Sequence, residues 1–369
     1  MLHPVILTIV YHPEDETSHQ IAAMMVSHLD RLGMERAGIH MRVPVRLRSQ
    51  PLAPSGALRP LGVGAPELDV ILVLHSMRME SSPDRWIDLL RPLAEASASA
   101  ARAPLVLTVP MSDRLQPLVD LPHIQTIRWT TWASLGLEAR SRRLLIHLVN
   151  AIRRRLAALE KGRREPIFIS HAKGDGREAA ERVVAHINDP AHGLRLDTFY
   201  DALHLESGED WIAGLHDRAQ AGSLLALVSD SYDSRPWCNQ ELLWAKQARR
   251  PILMVDIGRR RVGRGFPYAG NAPVIVDPLR DAEGIEAVLL ELLCEALRCD
   301  LFLRAVGALK ETPIVALPRP PELCDLAFCD AEPAEAPIVY PDPPLSEFET
   351  ALLEKLCGGR RLVALGDLA

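Results

Sequence analysis

A chain of 369 residues has room for two domains and a tail. Hydrophobic residues at 48% and charged residues at 24% describe an ordinary soluble globular protein, and a net charge of -6 argues against a dedicated nucleic-acid binder. No stretch reaches the roughly 18 uncharged apolar residues that a membrane-spanning helix needs, so no membrane anchoring is expected.

The N-terminus opens MLHPVILTIVYHPEDE, with no basic region before its apolar run. Residues 5–11 are therefore predicted as a first strand and not as a signal peptide. Residues 17–33 read as a helix, with Thr17 and Gln20 as a capping box, Gly33 as its stop, and Ile21, Met25, Leu29 and Leu32 on one face. Further strands are predicted at 41–47, 70–75, 104–109 and 123–129, and Ser82-Pro83 opens another helix in Ncap–N1 order. An arginine-rich helix over 137–161 closes this unit. Arg142, Arg143, Arg153, Arg154 and Arg155 are expected on its exposed face, as a solvated surface leading into a linker.

A second unit starts at Pro166. Strands are predicted at 166–170, 194–200, 224–229, 251–256 and 273–276, with helices between them at 176–187, 210–221, 239–249 and 282–299. Such alternation is the signature of a parallel, doubly wound sheet, in which ligands bind beyond the carboxyl ends of the strands. Past residue 303 the pattern decays. Residues 313–346 are rich in proline and read as an extended arm, followed by a short helix with Ser346 and Glu349 as its capping box and Gly358 as its stop. The expected division is 1–160, 165–300 and 301–369. The six cysteines all lie beyond residue 230; none forms a CxxC pair and no Cys/His cluster has zinc spacing, so free thiols in a cytoplasm and no metal are expected.

Three segments of the second unit combine into a pattern. PIFISHAKGD at 166–175 is a strand ending in small and polar residues. FYDALHLESGEDW at 199–211 is a strand followed by an acidic, glycine-containing loop. LVSDSYDSRPWCNQEL at 227–242 is a strand, a polar turn, and Trp-Cys-x-x-Glu entering a helix. Each alone is ordinary: a carboxylate such as Glu241 near a helix start is favoured by the helix dipole without any catalytic role. Together and in order they resemble the TIR (Toll/interleukin-1 receptor) family over residues 165–300. Bacterial members are the most similar, through the L-x-x-G-x-x-W loop of Leu205, Gly208 and Trp211.

That resemblance implies a flavodoxin-like sheet and an NAD-consuming enzyme, with NAD as substrate and no cofactor. Enzymatic members carry a glutamate four residues after the tryptophan, and Glu241 stands at that distance from Trp237. Cleaving the nicotinamide–ribose bond leaves an oxocarbenium-like ribose, which a fixed carboxylate stabilises. Nicotinamide leaves as a neutral ring, so no strong general acid is needed. By the same resemblance Trp211 stacks on the nicotinamide, while Ser170, His171, Lys173, Ser229 and Trp237 line the substrate pocket. His171 and Ala172 depart from the arginine or tyrosine common among relatives. Cys238 is expected to be a packing residue, and Asp201 and Asp230 to shape loops. The implied setting is bacterial defence or stress response in the cytoplasm, with activation by self-association through loop 202–210, and an upstream sensor protein or nucleotide signal as trigger. The alternatives are a non-enzymatic assembly or adaptor module and a cyclase making a cyclic ADP-ribose signal.

Residues 70–90, VILVLHSMRMESSPDRWIDLL, echo 224–243 as strand, serine, polar turn and tryptophan entering a helix. Leu90 stands four residues after Trp86, where the second unit has Glu241. The first unit is therefore expected to be flavodoxin-like or a degenerate TIR-like copy without a catalytic site.

Overall fold

The computed structural model describes residues 3–31, 42–49, 66–81, 86, 88–91, 103–115, 125–159, 166–194, 196–199, 211–258, 270–277, 279–309, 313–329, 333 and 335–368. The chain divides into two compact units at Leu156/Ala157. Among the described residues, no helix is long and apolar enough to cross a membrane.

The first unit runs β1 (Val5–Val10), α1 (Glu16–Arg31), β2 (Val45–Arg48), β3 (Leu68–His75), α2 (Met77–Glu80), β4 (Leu105–Pro110), β5 (Gln125–Thr126) and α3 (Leu137–Leu159). Its sheet is parallel in the order β2-β1-β3-β4-β5. All residues of β1 and β3 are buried, as expected for parallel strands covered on both faces. α1 buries Ile21, Met25 and Leu29, one stripe at helical spacing. Its start lies earlier than the expected Thr17 box: Asp15 accepts the His19 amide through its carbonyl, at 3.0 Å, and the Ser18 hydroxyl through its carboxylate, at 2.5 Å. Of the expected strand 123–129, residues 123 and 124 lie outside the described residues, Gln125–Thr126 forms β5, and Trp129–Trp132 forms a 3-10 turn. The expected exposed arginine face of α3 is corrected by the contacts of two of its members. Arg143 is buried, with its guanidinium 5.6 Å from the Trp132 ring, and Arg155 donates to the Ala103 carbonyl at 3.0 Å. Arg154 alone of the five is exposed; Arg142, Arg153 and Arg155 are half-buried. The expected helix start at Ser82-Pro83 lies outside the described residues.

The second unit repeats the order. Its strands are β6 (Ile167–His171), β7 (Thr198–Phe199), β8 (Ser223–Val228), β9 (Ile252–Asp256) and β10 (Val274–Val276), in the parallel sheet β7-β6-β8-β9-β10. Its helices are α4 (Arg177–Asn188), α5 (Trp211–Ala221), α6 (Pro236–Gln247) and α7 (Ala282–Gly307). In both units the first strand lies between the second and third, the flavodoxin-like order, with the topological switch point beside it. Asp281 caps α7 by accepting from the Gly284 amide at 2.8 Å. α7 continues past the expected end at Cys299, and Leu301, Phe302, Ala305 and Val306 extend its buried face.

The proline-rich segment is a folded lobe and not an extended arm. β11 (Val315–Ala316), β12 (Ile338–Tyr340) and β13 (Leu362–Ala364) form a parallel sheet in that order. α8 (Leu323–Phe328) and α9 (Glu347–Leu356) complete the lobe around Leu317, Leu326, Ile338 and Tyr340. Its prolines flank the strands: β12 sits between Pro337 and Pro341, where a missing amide costs no ladder bond. The Ser346–Glu349 capping box forms as expected, and Gly358 follows the helix at φ +72°.

Candidate active site

β6 ends at the switch point with Ser170 and His171, both buried. Ser170 Oγ donates to Glu241 Oε2 at 2.5 Å and lies 2.8 Å from the Tyr232 hydroxyl. A serine has one hydroxyl proton. Because that proton goes to the carboxylate, Tyr232 donates to Ser170, and the three form a directed chain from Tyr232 through Ser170 to Glu241. All three are buried, at 0%, 1% and 8% exposure. Their partners lie 62 and 71 residues from Ser170 in sequence, brought together by the pairing of β6 with β8 and by α6 packing on them.

Glu241 is the sixth residue of α6, so it stands in the second turn and not at the helix start. The dipole explanation for a glutamate there does not apply, since that effect fades within the first turn. It faces inward because Cys238, Leu242 and Ala245 form the buried face of the helix. Burial, reinforced by the charge of Glu241, pushes the Cys238 thiol up to about 12. Burial also holds the Tyr232 phenol well above its ordinary value, with the charges of Cys238 and Glu241 acting the same way and the Ser170 bond against them. Neither group ionises near neutral pH, so neither is a nucleophile or a base there.

A second cluster shapes the turn after β8. Asp175 accepts from Ser229 Oγ at 2.6 Å, Ser231 Oγ at 2.5 Å and the Ser231 amide at 3.0 Å. Burial works to raise the Asp175 pKa, but these donors outweigh it and leave the group below its ordinary value. Tyr232 follows directly, its amide bonded to the Ser229 carbonyl at 3.1 Å. The Asp175 clamp therefore sets the turn that delivers Tyr232 to Ser170.

Of the residues singled out from sequence, Glu241 and Ser170 meet. Ser229 is buried but bonds to Asp175; His171 is buried at the strand end and Lys173 is exposed. Trp237 is 42% exposed on α6. Trp211 begins α5, and its side chain lies outside what is described, as do Asp201, Leu205, Gly208 and the whole of 202–210. Sequence reasoning missed Tyr232 and Asp175. An aromatic inside the polar turn SDSYDS and an acid just before Gly176 were the available signals.

In the first unit β3 ends in the buried His75, which bonds to Glu80 at 2.9 Å. Trp86 is 1% exposed and packs with Val10, Ile71, Val73, Met79, Leu89 and Leu90. One group among the described residues, Glu322, Cys324 and Asp325, brings three possible metal-ligand atoms within 4.8 Å. Its carboxylates already face Lys246 and Arg319.

The family description that matches the chain is that of the TIR domain, over residues 167–282. No curated protein matches the chain.

Proposed function

We propose, from the premise that this chain carries a TIR domain at residues 167–282, that it cleaves the nicotinamide–ribose bond of NAD with Glu241 as the catalytic group. The observation that carries this reading is the hydrogen bond from Ser170 to the buried Glu241 carboxylate at 2.5 Å. A carboxylate held by a neighbour that is itself held by Tyr232 is preorganised, and a preorganised charge acts on a developing cation without reorganisation at the moment of reaction. In the reaction the C1′–N bond breaks with its electron pair leaving on the nicotinamide ring nitrogen. Water adds at C1′ and releases a proton. Glu241 stabilises the cationic ribose between those events, and Trp211 stacks on the nicotinamide. Among the described residues Ser170 and Tyr232 orient the carboxylate.

The second reading is a module that assembles without catalysis. The 8% exposure of Glu241 favours it, because a substrate must gain access to that carboxylate. NAD cleavage by wild type and Glu241→Gln, measured by chromatography across a protein concentration series, separates the two. We expect cleavage to fall by about 10²–10³ in the variant at unchanged circular dichroism. Activity within a few fold of wild type would exclude Glu241 from catalysis. The same chromatograms distinguish ADP-ribose from a cyclised product.

A further inference from the structure

α6 carries a second buried polar side chain besides Glu241. Lys246 lies five residues later, about 7.5 Å along the helix axis, and its side chain has no exposed surface. Its ammonium donates to the Glu322 carboxylate and to Asn271 Oδ1, the latter at 3.1 Å. Glu322 belongs to the C-terminal lobe, at the cap of α8. From the same lobe Arg319 donates to the carbonyls of Lys246 at 3.2 Å and Arg250 at 3.0 Å. The Lys246 carbonyl lies in the last turn of α6, where a helix favours a cation, and Arg250 follows the helix by three residues. Asn271 ties the cluster together, donating to Asp325 Oδ2 at 2.8 Å and to the Pro320 carbonyl at 2.6 Å. Asp325 is 1% exposed and faces Arg319 at 3.8 Å. Burial raises the Asp325 pKa, while the Arg319 charge and the Asn271 bond oppose the rise. Two buried cations thus meet the buried Asp325 and the partly buried Glu322 at the end of α6.

We propose that the C-terminal lobe is a positioning element for the active site: by fixing the C-terminal end of α6 at Lys246 and the turn that follows it to Arg250, it holds Glu241 against Ser170. The catalytic half of this statement rests on the reading of Glu241 given above. A helix transmits displacement of one end to the other because its turns are hydrogen-bonded along the axis. Glu241 sits between two anchors, Ser170 on the sheet and the lobe at the helix end. Removing one partner of a buried charge pair leaves the other unpaired in a dry site, so the pair resists separation.

The test uses the full chain and the variants Glu322→Gln and Lys246→Met/Glu322→Met. The single variant leaves the ammonium without its anion, whereas the double variant removes both charges and refills the space. Hydrogen exchange followed by mass spectrometry reads the coupling independently of activity. In Glu322→Gln the amides of α6 should exchange at least tenfold faster, with β6 and β8 unchanged, and the double variant should restore protection. NAD turnover should follow: kcat falls about tenfold or more in the single variant at a KM within twofold, and recovers in the double. If Glu322→Gln does not fold, Asn271→Ala, which removes another acceptor from Lys246, carries the same expectations. Faster exchange confined to residues 315–364 overturns the proposal, and so does faster α6 exchange with kcat unchanged. A wild-type chain that cleaves no NAD refutes the role of Glu241, and the exchange data alone then decide whether the lobe holds α6.

Discussion

Ser170 has one proton to give and spends it on Glu241, which makes it the most direct test of how the carboxylate is held. A hydrogen bond to a charged group is worth about 1.5–3 kcal/mol, or about 10- to 100-fold in rate if it is realised in the transition state. Ser170→Ala should lower kcat by that factor with little change in KM, measured as steady-state NAD cleavage. A kcat within twofold of wild type would show that Glu241 keeps its place without Ser170. Cys238 supplies a pH prediction. Its thiol is raised from 9.0 to about 12, so its stabilising contribution is complete below pH 9 and is lost as the pH rises toward 12. In that window the unfolded chain releases a proton that the folded one retains, a slope of about 1.4 kcal/mol per pH unit for each such group. Melting temperatures between pH 8 and 11 should decline less steeply in Cys238→Ala than in wild type. At this scale the sequence revealed the acid and the serine, through a motif that orders them. It concealed the bond between them, and it concealed Tyr232 and Asp175, because nothing in a linear string tells which turn residue reaches 62 positions back to a strand end.

At the scale of elements, continuous apolar runs made the buried parallel strands legible, since such strands are covered on both faces. The lobe was illegible for the opposite reason. Its strands are two or three residues long and its prolines sit beside them, so composition pointed to an extended chain. The arginine face of α3 misled because periodicity counts charges as solvated, whereas Trp132 offers a guanidinium an aromatic surface. Two glycines give a paired prediction. A Cβ at Gly222 would lie 2.0 Å from the Pro166 carbonyl oxygen, which accepts the Ser223 amide where β8 pairs with β6. Gly222→Ala should therefore cost at least the ~1–3 kcal/mol of overpacking. At Gly307, the last residue of α7, a Cβ meets nothing within 4 Å. Gly307→Ala should be neutral or stabilising by up to ~1 kcal/mol. Thermal unfolding of both variants checks the pair, and a Gly222→Ala melting temperature equal to wild type would contradict the close approach.

For the whole molecule, two units with the same strand order differ at the spot where chemistry is proposed. One holds Glu241 on Ser170; the other fills the region around Trp86 and Leu90 with apolar side chains. The full chain carrying Glu241→Gln should accordingly keep only the residual rate left by the about 10²–10³ loss, and deleting the first unit's Trp86 in that variant should lower it no further. Self-association is the other prediction at this scale. If assembly completes the site, specific activity should rise with protein concentration, and Gly208→Pro should depress assembly and cleavage together by restricting the backbone of that loop. Constant specific activity over a wide dilution series of a strictly monomeric sample would rule out that mechanism.

The family match ends at residue 282, one turn before the buried stretch of α7 begins, and this bears on how the protein can be shortened. A chain stopped at 282 or at 300 would strip or sever a helix whose Leu289, Leu293, Leu297 and Phe302 are buried, leaving an oily seam that invites aggregation. Stopping at 309 keeps the helix whole but abandons Lys246, whose ammonium would face a vacated cavity with no carboxylate to meet it. The shortest soluble version should therefore end at 309 and carry Lys246→Met, and should yield more monomer on size exclusion than the same fragment with lysine. Proteases released on the intact chain should behave in kind: a cut between α7 and β11 would loosen little until the lobe departs, after which the remaining body would precipitate.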